Sequence, residues 1–194
     1  MKFRLALLIA ALACTGSAAH ADLIQNGGFE TGTFAHWTAP RDGDVTGGTQ
    51  DGLSAYDGQY YAQMFNSGGL LDQNDITDKA GQQLTLTFYL ASVNITGFYG
   101  SFSVSWNGIL LAQVVSGQTF GWTKYSYTVT STGADQLAFE GNQNYGSGSF
   151  WGIDDVSLTP PQAVPEPSSL VLLGTVLAGL AGFAALRRRR KTFV

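Results

Sequence analysis

A two-residue period in the middle of the chain constrains the fold most strongly. Leu84, Leu86, Phe88 and Leu90 alternate with Thr85, Thr87 and Tyr89. Successive side chains of a strand point to opposite faces, so this run reads as a half-buried strand. The pattern recurs where Phe102, Val104 and Trp106 alternate with Ser101, Ser103 and Ser105, which assigns Trp106 to the core. Asn107-Gly108 accepts the positive φ angles of a two-residue hairpin turn, and residues 109–115 form the return strand. Further short strands are expected around Tyr125, Tyr127 and Val129, at Leu137 and Phe139, and over residues 153–158. No apolar stripe of helical period persists in this region, and glycine-rich turns separate the strands. The expected architecture is all-β, a two-sheet antiparallel sandwich with jelly-roll topology.

Both ends of the 194-residue chain differ from this middle. Lys2 and Arg4 precede an apolar run over residues 5–14, and Ala19-His20-Ala21 supplies a small-residue cleavage site. Residues 1–21 therefore read as a secretory signal peptide that leaves Asp22 as the mature N-terminus. Ala11-Leu12-Ala13-Cys14 is a loose lipobox and offers lipidation as the alternative, with ordinary cleavage preferred. Residues 170–186 carry no charge and are just long enough to span a bilayer as a transmembrane helix. The basic tail, residues 187–194, holds the end of that helix in the cytoplasm. The expected organisation is a β-sandwich over residues 22–160, a linker over 161–169, then the helix and the tail.

Charge must be counted by segment. Residues 22–163 contain three basic residues, Arg41, Lys79 and Lys124, against thirteen acidic ones, a net charge of −10. The chain-wide figure of −4 hides this because the basic residues concentrate at the ends. So acidic a domain suits divalent cations or neutral polymers and argues against nucleic acid. The single cysteine lies in the signal segment, which excludes a disulfide framework and any multi-cysteine metal site. His36 is the one histidine of the exported domain, and no orienting carboxylate or nucleophile accompanies it in sequence. No phosphate-cradling glycine motif precedes a helix. The exported domain is not expected to be an enzyme. Glycoside hydrolysis by a carboxylate pair is the weakest alternative.

Two resemblances extend this reading. Pro165-Glu166-Pro167, the apolar helix and Arg187-Arg188-Arg189-Arg190, in that order, resemble the PEP-CTERM sorting signal of Gram-negative bacteria. That resemblance implies recognition by an exosortase, removal of the helix, and passage from an inner-membrane precursor to the cell surface or extracellular matrix. The family is associated with exported polysaccharide and biofilm. Residues 23–30 (Leu-Ile-Gln-Asn-Gly-Gly-Phe-Glu) and 150–158 (Phe-Trp-Gly-Ile-Asp-Asp-Val-Ser-Leu) resemble the first and last strands of galactose-binding-like jelly rolls, which include many carbohydrate-binding modules. There the termini lie side by side, and an acidic residue from each end often helps hold a structural calcium ion. The matching residues are Glu30 and one of Asp154 or Asp155. Asp154 is in phase with the core-facing Val156 and Leu158, so it is expected to be drawn inward and to need compensation.

Sugars offer apolar ring faces edged with hydroxyls, so their sites combine an aromatic platform with amide and carboxylate partners. Trp37 and Trp151 flank the terminal strands, where packing accounts for them. Tyr99 and Tyr145 sit in polar, glycine-rich loops with less core to hide in. The expected glycan contacts are Tyr99, Asn142, Asn144 and Tyr145. The expected role is non-catalytic association with extracellular polysaccharide, calcium-supported, with a structural matrix protein lacking a specific glycan site as the alternative.

Overall fold

A computed structural model describes residues 21–65, 69–95, 99–143 and 149–161. The sorting motif, both expected membrane-directed segments, Asn144 and Tyr145 lie outside the described residues. Eleven strands occur among the described residues: β1 (Gly43–Gly47), β2 (Thr49–Gln50), β3 (Leu53–Ser54), β4 (Tyr60–Met64), β5 (Gly69–Ile76), β6 (Gln83–Val93), β7 (Gly100–Trp106), β8 (Ile109–Ser116), β9 (Phe120–Thr130), β10 (Asp135–Gln143) and β11 (Phe150–Thr159). They form a five-stranded sheet in the order β1-β4-β11-β6-β9 and a four-stranded sheet in the order β5-β10-β7-β8. The small β2-β3 hairpin stands apart. The strand pairs of both sheets are antiparallel. No helix occurs among the described residues, and the all-β sandwich expected from the sequence is the fold.

The alternation works as the side-chain period requires. Leu84, Leu86, Phe88 and Leu90 of β6 meet Phe102, Val104 and Trp106 of β7 in one core, with Leu137 and Phe139 of β10 and Ile153, Val156 and Leu158 of β11. Phe88 stands edge-on to Phe139 at 5.1 Å, and Phe102 packs against both Phe139 and Trp151. Trp106 is buried and its Nε1 donates to Thr130 O at 3.0 Å. Between β7 and β8 the turn residues Asn107 and Gly108 have φ of 51° and 75°, as the dipeptide predicts.

Two expectations are corrected. Residues 23–30 form no strand. Asn26 and Phe29 have φ of 52° and 55°, and the Asn26 side chain ties Thr31, Thr33 and Ala35 into a turn that cannot stay extended. The ends of the domain still meet, because Leu23 N donates to Leu158 O and Val156 N donates to Gly27 O, each at 3.0 Å. A side chain at Gly27 would place its Cβ 1.9 Å from that Val156 oxygen, so only glycine fits the seam.

The second correction concerns Asp154. β11 bulges between Asp154 and Ser157, with Asp155 at φ 50°, and the extra residue resets the alternation. Asp154 pairs with Tyr89 and faces away from the core that holds Ile153, Val156 and Leu158. It is fully buried nonetheless, under the loop of residues 55–59.

Candidate functional site

At one end of the four-stranded sheet, β7 brings two of the expected glycan contacts together. Asn142 on β10 stands opposite Ser101 on β7, which stands opposite Val115 on β8. Tyr99, just before β7, is 70% exposed, and its ring lies against Gly117, where an added Cβ would come within 3.3 Å of it. Tyr99, Gly100, Ser101, Val115 and Asn142 line a cleft of about 160 Å³. Asn142 Oδ1 is buried there without a hydrogen-bond partner. Such an acceptor costs about 1–3 kcal/mol when left unpaired, so a donor brought to it would be favoured. The same sheet face continues through Ser103, Ser105, Gln113 and the exposed Glu140. An exposed ring, an unsatisfied amide oxygen and rows of hydroxyls make a surface that can hold a polyhydroxylated ligand.

The acidic residues of the two chain ends converge on a second place. Glu30 accepts from Gln59 N at 2.9 Å and from Tyr60 N at 2.9 Å. Asp154 Oδ2 accepts from Tyr56 N at 2.8 Å and Asp57 N at 3.3 Å, and its Oδ1 accepts from Asp155 N at 2.7 Å. Both carboxylates thus grip one loop, residues 56–60. Gly28 lies between them: a Cβ there would sit 3.7 Å from Glu30 Cγ and 4.0 Å from Asp154 Oδ1. Gly58 leaves room for the Glu30 carboxylate, which a Cβ would meet at 2.3 Å. Burial pushes the Asp154 carboxyl up to about 7, against the downward pull of its three backbone hydrogen bonds, and the neighbouring Asp155 adds to the rise. Asp155 itself is exposed, so of the two aspartates Asp154 is the one drawn out of solvent.

A second aromatic cluster occupies the outer face of the five-stranded sheet, and it joins Tyr56 and Trp122, which the sequence offers as possible platforms, to Tyr89. The ring of Tyr56 stacks on that of Tyr89, centroids 3.5 Å apart and planes at 17°. Its hydroxyl donates to the Tyr89 hydroxyl at 2.7 Å. Trp122 is edge-on to Tyr56 at 6.5 Å, and Lys124 Nζ lies 5.6 Å from the Tyr89 ring centroid. Tyr56 and Tyr89 are 33 residues apart in sequence, so no local pattern could have joined them. His36 sits exposed in a loop at φ 70°, beside the buried Trp37.

No protein-family profile and no curated protein matches the chain. Solved structures do match in fold. TmCBM61 in complex with β-1,4-galactotriose aligns with a TM-score of 0.54 and 19% identity, over 73% of this chain and 99% of that one. The CBM22-1 xylan-binding domain of Paenibacillus barcinonensis Xyn10C aligns at 0.50 with 18% identity, over 75% and 98%. The K3 cleaved adhesin domain of Lys-gingipain from Porphyromonas gingivalis w83 aligns at 0.52 with 15% identity, over 72% and 98%. The chain has the jelly-roll fold found among carbohydrate-binding modules.

Proposed function

We propose that the exported domain is a non-catalytic module that associates with extracellular polysaccharide through the cleft of Tyr99 and Asn142. The observation that carries this reading is the buried, unpaired Asn142 Oδ1 beside the exposed Tyr99 ring on an open face of hydroxyls. A pyranose stacked on Tyr99 would bring a hydroxyl donor to that oxygen. The galactotriose-bound and xylan-binding structures of the same fold support the class of ligand. A glycan array followed by titration calorimetry tests it. Saturable binding of a neutral glycan should fall at least tenfold in both Tyr99→Ala and Asn142→Ala. Absence of saturable sugar binding sinks the reading and leaves a structural matrix protein.

Calcium at the chain-end seam supports this module structurally. Asp154 is buried with three N–H partners and Glu30 accepts from the same loop, so a hard cation there would share oxygens that already accept from N–H groups. Among the described residues no group of three or more acidic, histidine or cysteine side chains gathers, so the remaining ligands would be backbone or amide oxygens. Bound there, the ion would neutralise Asp154 and fasten residues 56–60. Calcium should raise the melting temperature and a chelator should lower it. An unchanged midpoint removes Glu30, Asp154 and Asp155 as ligands.

Sorting follows the PEP-CTERM reading: Pro165, Glu166 and Pro167 present the chain to an exosortase, and Arg187 to Arg190 stop the helix at the inner membrane. Replacing Pro165 and Pro167 by alanine should leave an unprocessed, membrane-bound precursor. Undisturbed release of the double variant counts against it.

A further inference from the structure

The cluster of Tyr56, Tyr89 and Lys124 belongs to neither site. Tyr89 stands opposite Lys124 across β6 and β9, on the outer face of the five-stranded sheet. Tyr56 reaches it from the loop that Glu30 and Asp154 hold by backbone N–H groups, so the Tyr56 ring is positioned from both ends of the chain. With one ring face on Tyr89 and Trp122 edge-on to it, Tyr56 is still 43% exposed. Trp122 backs the pair and is itself anchored, its Nε1 donating to Ser54 O at 2.8 Å. Stacking, a hydroxyl–hydroxyl bond and an anchored loop make this a preorganised platform that loses little freedom on binding.

The surroundings specify the ligand. Along the same face, Thr87 stands opposite Ser126 and Thr85 opposite Thr128, so paired hydroxyls extend from the aromatic pair for roughly 13 Å of strand. Lys124 is one of three basic residues in a domain of charge −10. Its amine rests by the Tyr89 ring, an exposed point charge beside the platform. Hydroxyls of a neutral sugar could accept from that ammonium, but only a uronate ring on Tyr56 would present a carboxylate to pair with its charge. Repulsion from carboxylates beyond about 8 Å is screened at physiological salt; of the near charges, the exposed Asp155 opposes Lys124 at the Tyr56 hydroxyl, so the direct contact at Lys124 must outweigh it.

We propose that this face is a second glycan platform, independent of the Tyr99 cleft, and that it takes an acidic polysaccharide, with the sugar ring on Tyr56 and the carboxylate on Lys124. The proposal rests on the reading of the domain as a glycan binder. The two platforms occupy outer faces of different sheets, so one domain would bridge a neutral and an acidic chain.

Calorimetry of the full chain in a polyoxyethylene detergent at 0.15 M salt separates the two sites. The probes are tetramers of galacturonate, mannuronate and glucuronate, alongside the neutral glycan of the first site. At least one uronate tetramer should bind, at least tenfold more weakly to Tyr56→Ala and to Lys124→Gln, and with unchanged affinity to Tyr99→Ala. Lys124→Arg should retain binding, and near-ultraviolet circular dichroism should stay native in each variant. The inference is overturned if no uronate tetramer binds, if Tyr99→Ala abolishes uronate binding, or if Lys124→Gln leaves it intact. Failure of the Tyr99 reading is seen separately, in the neutral glycan alone.

Discussion

Replacing Asp154 by asparagine should invert its effect on stability between pH 4 and pH 8. The carboxyl is fully buried and its pKa is raised from about 3.8 to about 7 in the fold. Between those values the folded chain holds a proton that the unfolded chain has released. The neutral carboxyl's contribution is therefore complete below about pH 4, and it is lost as pH rises through 7. A shift of about three units at about 1.4 kcal/mol each makes the loss on the order of 4 kcal/mol. An amide cannot ionise, so the variant escapes this loss. It incurs another: Oδ1 and Oδ2 both accept from backbone N–H groups, and an NH₂ at either position confronts a donor, at about 1–3 kcal/mol.

At pH 4 the variant should therefore be less stable than the native protein by about 1–3 kcal/mol. By pH 8, without calcium, it should be the more stable of the two by about 1–3 kcal/mol, the charge penalty exceeding the lost hydrogen bond. Urea unfolding of residues 22–161 in chelator, followed by tryptophan fluorescence at half-unit pH steps, measures the crossing. Saturating calcium should abolish it, since the ion holds the carboxylate form in place. A stability difference that stays constant from pH 4 to pH 8 would refute the claim that the fold keeps this carboxyl neutral.

Gly152→Ala should lower stability by about 1–3 kcal/mol and red-shift tryptophan emission, because its Cβ would stand 2.9 Å from Trp122 Cη2 and 3.0 Å from Leu53 Cδ2. An unshifted spectrum would mean that the Trp122 ring of β9 does not pack over Gly152 of β11. Asp135→Asn should cost about 1–3 kcal/mol at pH 7. Burial alone would raise the Asp135 carboxyl, but hydrogen bonds from Ser131, Asn107 and Thr132 outweigh it and hold the group below the usual range. Its contribution is present above the ordinary carboxylate pKa and is lost as pH falls through the lowered one. The gap between native and variant midpoints in urea should therefore narrow in strong acid, and a gap independent of pH would contradict the assignment.

β7 and most of β6 were legible because buried residues alternate with less buried ones, and β8 because the Asn107-Gly108 turn demands a return strand. β4 was not. Ala62 and Met64 enter the main core, while Tyr61 joins Leu53, Ala91, Val93 and Phe150 in a smaller cluster on the other face. A strand covered on both sides shows no alternation to read. The polar, glycine-rich loop marked Tyr99 as a side chain with little core to enter, and it is exposed, whereas the burial of Asn142 Oδ1 on β10 had no signal in the sequence. Tyr89 was misleading, since it occupies the polar phase of β6 and looks like surface until Tyr56 arrives from another loop.

Asp154 ties these outcomes together. Strict alternation put it with Val156 and Leu158, and the bulge at Asp155 turned it to the other face. Directed at the core, its carboxylate would have met hydrocarbon. Turned outward, it meets the backbone of Tyr56 and Asp57, next to the stretch that Glu30 holds from the start of the domain. One extra residue in the last strand thus turns a buried carboxyl into a clasp, and the clasp sets the ring of Tyr56 on Tyr89. The acidic ends of the domain position the aromatic platform without touching its exposed face, so loosening either carboxylate should disorder Tyr56 while leaving the Tyr99 cleft on the other sheet intact.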